Sequence, residues 1–185
     1  MKPVLLSLLV VFLLTSCTSW VPDYSNKDSG YRVVLHQPLA VAPGNARVFL
    51  QQGRMLPSLG FNQYDISCSF EVRNLSEQPQ TIEPDTFVVN RVQHLMDEVA
   101  SWRPVQLASL TLAGAEVDSS PADIFLGYHF WLYSEKQPDV LRMTCRGVFS
   151  EPWNAQYPTL GEIAQTLGSY ATLGTGAETI QPGSY

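Results

Sequence analysis

Charge is the scarcest ingredient of this sequence: Asp, Glu, Lys and Arg together make up 15% of its 185 residues, against about a quarter in an ordinary soluble domain. The charge present leans acidic, with 11 Lys and Arg against 17 Asp and Glu and a formal net charge of −6. An acidic chain repels a phosphate backbone and offers anionic lipid no polybasic segment, so nucleic acid is not an expected partner. Histidine is nearly as scarce. His36, His94 and His129 stand far apart, with no HExxH and no pair at i, i+4 to form a ligand face, so neither a metal nor another cofactor is expected. No serine sits in a GxSxG elbow, and no glycine run forms a phosphate-cradling loop; Gly44-Asn45 and Gly114-Ala115 read as turns. What remains is 45% hydrophobic and 11% aromatic, enough to bury a core. Collagen, coiled coil and wholesale disorder are excluded, and the length fits one domain, two at most.

The N-terminus carries an address. Met1 and Lys2 give a short positive start, and Val4 to Leu14 are apolar apart from Ser7. As a helix this run reaches about 16 Å, roughly half the hydrocarbon thickness of a bilayer, so it reads as a signal segment and not a span. It ends in Leu14-Thr15-Ser16-Cys17. That order, a Leu, two small residues and a Cys, resembles the lipobox of bacterial lipoproteins. The resemblance covers the signal and cleavage site alone. It implies that residues 1–16 are removed, that the thiol of Cys17 takes a diacylglycerol, and that the new amine is acylated. Each buried methylene contributes about 0.8 kcal/mol, so several long chains tether the protein stably. Residue 18 is Thr and not Asp, which in such lipoproteins favours the outer membrane. The alternative is a plain secreted protein with Cys17 in a disulfide.

Residues 17–30 are polar and turn-rich and read as a lipidated Cys followed by a flexible tether. Beyond them, short runs rich in Val, Ile, Phe, Tyr and Thr are separated by Pro, Gly, Asn and Asp. The clearest is 64–73, where Tyr64, Ile66, Cys68, Phe70 and Val72 alternate against Asp65, Ser67, Ser69, Glu71 and Arg73. A period of two means a strand with one dry and one wet face. Further strands are expected at 31–36, 47–51, 86–89, 106–112, 127–133 and 140–149. The gaps between them are too short for helical crossovers. The expected fold is mainly β: an antiparallel sandwich of about seven strands over 31–170, with a short C-terminal helix. That helix is placed at 160–167, where Thr159 and Glu162 make a capping box ahead of Leu160, Ile163 and Leu167, which are expected to plug the sandwich, and Gly168 stops it. Val92, Leu95, Met96 and Val99 repeat the same spacing more weakly and suggest a second short helix at 91–100. Residues 171–185 read as a loose tail.

In an exported domain the two cysteines outside the lipobox, Cys68 and Cys145, are expected to pair. Leu141, Met143 and Cys145 alternate against Arg142, Thr144 and Arg146, so both thiols point inward. If the strands are antiparallel neighbours, Ser69 faces Thr144, Glu71 faces Arg142 and Ser67 faces Arg146; a bridge between two stacked sheets leaves no such register.

Three groups invite a functional reading. The run Tyr128-His129-Phe130-Trp131-Leu132-Tyr133 is apolar on both faces. Its His129, Trp131 and Tyr133 form either a ligand or partner face, or the second covered side of a strand beneath the helix or tail. The face of Arg142, Thr144 and Arg146 is a weaker docking candidate, or merely a solvated strand face. His94 with Asp97 and Glu98 fit a base and its orienter on one helical face, or an ordinary solvated helix. With lipid on Cys17 and a bridge between the others, no thiol is left for catalysis. The expectation is a non-enzymatic accessory or adaptor, lipid-anchored in the outer membrane, facing the periplasm and contacting another envelope protein. A carbohydrate or small-ligand binding module using Trp131 and Tyr133 is the alternative, and a hydrolase built on a histidine the third.

Overall fold

The computed structural model describes residues 29–56, 60, 62–98, 122–175 and 178–179. The alternation at Cys68, Phe70 and Val72 produces a strand, Ser67–Val72, whose three apolar side chains are buried. In chain order the described strands are β1 Tyr31–Leu35, β2 Leu39–Val41, β3 Arg47–Gln51, β4 Arg54–Leu56, β5 Ser67–Val72, β6 Gln80–Ile82, β7 Asp85–Glu98, β8 Ile124–Tyr133, β9 Val140–Arg146, β10 Ala171–Thr175 and β11 Glu178–Thr179. Among the described residues one helix, α1, spans Leu160–Leu167. Nine strands form one antiparallel sheet in the order β11-β10-β1-β7-β8-β9-β5-β3-β4, and β2 pairs with β6 as a separate two-stranded ribbon. The mainly antiparallel β architecture with a short C-terminal helix is therefore present. Among the described residues the ribbon and α1 form its second layer.

The sheet must curl to make this work. The helix packs against β10 near one end of the sheet and against β3 and β5 near the other. In a flat sheet β10 and β3 would lie six strand spacings apart, about 29 Å, whereas a helix is about 10 Å wide. Curling brings Leu173 of β10, Val33 and Leu35 of β1, Phe87 of β7, Phe130 of β8, Met143 of β9 and Phe70 of β5 into one core with Ile163 and Leu167 of α1. Leu39, Val41 and Ile82 of the ribbon close the remaining side. At the seam Gly53 donates its amide to the Thr166 carbonyl at 3.0 Å. Gly53 follows Gln52 in a two-residue hairpin with φ of 68° and 51°, the left-handed pair that matches strand twist. Opposite it Gly168, φ 55°, approaches so closely that an added Cβ would lie 2.5 Å from the Gly53 Cα.

The helix begins and ends as its sequence predicts. The Glu162 amide donates to Thr159 Oγ1 and the Thr159 amide donates to Glu162 Oε2, a complete capping box. Ile163 and Leu167 are fully buried, but Leu160 is 40% exposed, because it precedes the turn that faces the sheet; it is not a plug residue. Replacing Thr159 by Ala removes one half of the box and is expected to cost about 1 kcal/mol, read as a lower urea midpoint; an unchanged midpoint would show that packing alone fixes the helix.

Two other expectations are corrected. Residues 171–175 are not tail: β10 pairs with β1 and β11, and its Ala171, Thr172 and Leu173 are buried. No helix forms near 91–98, since β7 continues to Glu98 against β8. Residues 1–16, Cys17, most of the tether, residues 99–100 and the strand expected at 106–112 lie outside the described residues.

The predicted register is borne out. Cys68 and Cys145 stand directly opposite on β5 and β9 with Cα atoms 4.1 Å apart and a disulfide between them. Ser69 faces Thr144, Glu71 faces Arg142 and Ser67 faces Arg146.

Candidate functional site: the outer face of the sheet

Because side chains alternate along a strand, every core residue of β8 has a neighbour pointing away from α1. Phe130 and Leu132 are buried in the core, while His129 and Trp131 are half-buried on the other face and Tyr133 is 40% exposed. Neither the helix nor the ribbon covers them, since both pack on the core side. The covered-strand reading of His129, Trp131 and Tyr133 is thus corrected as regards the helix; of the expected tail, residues 171–175 run within the sheet beside β1, and residues 180–185 lie outside the described residues.

Antiparallel pairing of β8 with β9 merges the two docking candidates into one surface. His129 faces Thr144 and Trp131 faces Arg142. The contacts follow: His129 Nδ1 lies 2.8 Å from Thr144 Oγ1, and the Arg142 guanidinium lies 5.3 Å from the centre of the Trp131 ring. From the opposite flank Arg91 of β7, also directly across from Trp131, places its guanidinium 4.6 Å from the same ring. The indole Nε1–H donates to Gln93 Oε1 at 3.2 Å. Arg142 Nε also donates to Glu71 Oε2 at 2.8 Å, and Arg47 Nε lies 3.2 Å from that oxygen. One row therefore crosses five strands, Arg91, Trp131, Arg142, Glu71 and Arg47. Sequence reading found its Trp131, Arg142 and Glu71 but missed Arg91 and Arg47, which carry no local signal and join the row only through strand order.

The row tunes its own titrations. Burial pushes the Glu71 carboxyl up, but hydrogen bonding and charge from Arg142 and Arg47 outweigh it and hold the group below its ordinary range. His129 is pushed down, first by burial and then by the positive charge of Arg142, with Glu71 partly opposing. It is therefore neutral in the folded chain at neutral pH. In the unfolded chain it titrates near 6.5. Above that pH neither state binds the proton; as the pH falls through it the unfolded chain takes up the proton before the folded chain does, so folding stability falls as the pH drops through 6.5. His129→Gln is expected to flatten this dependence, measured as urea midpoints between pH 7.5 and 5.5. An identical slope in the variant would refute the assignment.

The other histidines are dispersed. His36 Nε2 lies 3.2 Å from Thr172 Oγ1. His94 sits edge-on to Tyr128 and Tyr157, with ring centres 5.4 Å and 5.0 Å away. It is on a strand, so Asp97 points to the opposite face, and the base-and-orienter arrangement of His94, Asp97 and Glu98 does not form. Among the described residues no carboxylate is hydrogen-bonded to any of the three rings, and no group of three His, Cys, Asp or Glu is placed to hold a metal. A groove between α1 and the 62–66 loop is lined by Gln52, Asp65, Glu162 and Gln165. Its two carboxylates are already engaged, Asp65 by Gln52 and Asn62, Glu162 by Thr159.

No protein family, curated protein or solved structure matches the chain. Among the described residues no helix is long and apolar enough to cross a membrane.

Proposed function

We propose that this chain is a lipid-anchored lipoprotein of the bacterial outer membrane, facing the periplasm, that works as a non-enzymatic adaptor by docking an envelope protein on the outer face of its sheet. The observation that carries the docking half is the row through Trp131: an aromatic and guanidinium surface on the side of the sheet opposite its helix. Trp, Tyr and Arg are the residues that concentrate binding energy at protein interfaces, and Trp131, Tyr133, Arg91 and Arg142 gather here. The anchoring half rests on Leu14-Thr15-Ser16-Cys17. The two halves are compatible in reach. Ser29 is fixed beside β7 by its amide donating to the Val89 carbonyl, and the twelve residues back to Cys17 extend at most about 43 Å.

The carbohydrate reading needs an open aromatic platform. With Arg91 and Arg142 lying against Trp131, the ring is better suited to a partner that engages the guanidiniums as well, so the docking reading is preferred.

Two measurements test the proposal. Mass analysis of the mature chain should find Cys17 acylated and residues 1–16 gone; an unmodified Cys17 or a retained leader removes the anchor. A photo-crosslinking side chain at Tyr133 should give discrete protein adducts in intact cells that fade when Cys17→Ala releases the chain from the membrane. The same probe at Ala40, exposed on the ribbon that packs on the core side of the sheet, should not. Equal patterns from both positions would refute docking on this face.

A further inference from the structure

The two edges of β7 are used unequally. β8 pairs with it from Val88 to Glu98, whereas β1 pairs with it only from Asp85 to Val88. The Ser29 amide, donating to the Val89 carbonyl, marks the end of that side. Among the described residues no strand lies on this edge of β7 beyond Val89. The side chains register the missing neighbour: Gln93 and Asp97 on the outer face, and His94, Met96 and Glu98 on the core side, are all exposed. A long edge with bare amides and carbonyls is a template for another strand. We propose that two copies of the chain join here, as antiparallel β7 strands related by a two-fold axis through the His94 pair, so that their sheets become one.

The sequence of the edge complements itself. A two-fold axis normal to a sheet keeps both outer faces on one side, so residues that face each other across it must share parity. In Arg91-Val92-Gln93-His94-Leu95-Met96-Asp97, an axis at His94 sets Val92 across from Met96 of the second copy, Gln93 across from Leu95, and Arg91 across from Asp97. Val92 packs against the core, and Met96, on the same face, is 68% exposed; the pairing gives it an apolar neighbour. On the outer face it sets opposite charges opposite each other. Moving the axis to Gln93 sets Val92 against His94 and Asp97 against Val89; moving it to Leu95 sets Val92 against Glu98 and Asp97 against Gln93. Either shift loses both matches, so the pattern selects one register. Arg91 keeps its place beside Trp131, because backbone groups carry the ladder and the side chains choose its alignment. A strand of unrelated sequence gains the ladder without these pairs, which favours a second copy as the occupant.

The test is sedimentation velocity of the full-length chain in a detergent of neutral headgroup, at concentrations from about 1 μM to about 100 μM. A reversible dimer is expected. Met96→Lys changes an exposed side chain and sets an edge lysine against Val92 of the other copy, so it should raise the dissociation constant about tenfold or more. His94→Cys stands across from its own mate at about 5 Å and should give a disulfide-linked dimer under mild oxidation. Thr86→Cys, exposed on the same strand where β1 occupies the edge, should not. Thermal midpoints of the same samples establish that each variant is folded. A monomer throughout the range, a dimer that Met96→Lys leaves intact, or equal crosslinking from positions 94 and 86 would overturn the inference. So would a photo-crosslinking side chain at Gln93 that joins residues 17–28 or 99–121 of its own chain, since the edge would then be covered from within.

Discussion

Replacing both Cys68 and Cys145 with Ala is expected to lower the unfolding free energy by about 4 kcal/mol. The bridge closes a loop of 77 residues, so its loss frees β6, β7 and β8 from a constraint on the unfolded chain. For a domain of this size that corresponds to about 10 °C or more in the thermal midpoint, out of a total stability of about 5–15 kcal/mol. The native ladder itself does not depend on the bridge: Ser69 with Thr144 and Glu71 with Arg142 are set by backbone hydrogen bonds and by which face of each strand is apolar. The variant is therefore expected to keep the native far-ultraviolet spectrum while its urea midpoint drops. An unchanged midpoint would refute the account.

The legible parts of this fold were those in which one period of hydrophobicity runs unbroken. Cys68, Phe70 and Val72 against Ser69 and Glu71 name the buried face of β5, and Leu141, Met143 and Cys145 do the same for β9. Two inward cysteines then fix the register, and the register places Glu71 beside Arg142. The misreading of β7 has a definite cause. Its pairing with β8 slips between Val89 and Arg91, so the alternation restarts one residue out of phase. The apolar positions Val92, Leu95, Met96 and Val99 that follow have the spacing of a helix face, although Val92 and Leu95 lie on opposite faces of a bulged strand. The ribbon strands Leu39–Val41 and Gln80–Ile82 are three residues long, too short to display a period at all. β10 failed differently. Its first four residues are all buried, so no polar alternation separates it from a featureless tail. The site was half legible for the same reason. Residues of one strand can be grouped by parity, which yields His129, Trp131 and Tyr133 or Arg142, Thr144 and Arg146. Bringing the groups together requires knowing that β8 lies between β7 and β9, and strand order is a property of the whole sheet.

The consequence of parity is sharpest at two adjacent residues of β5. Phe70 is fully buried between Met143 of β9 and Val48 of β3, on the side where α1 lies. Truncation to Ala removes the ring and leaves a cavity that the strand, pinned by its ladders on both sides, closes poorly. The expected cost is about 3–5 kcal/mol, comparable to that of the disulfide and measured as a fall in urea midpoint at unchanged m. Glu71, next in the chain, points to the outer face and shares one oxygen between Arg142 and Arg47. Glu71→Gln keeps the shape and one acceptor oxygen, so its expected cost is about 1 kcal/mol. Position 70 thus holds the core together and position 71 the charged row on the outer face. A Phe70→Ala variant that unfolds no more easily than Glu71→Gln would mean that the curled sheet does not close on α1 as described, and the separation of a core face from a docking face would fall with it.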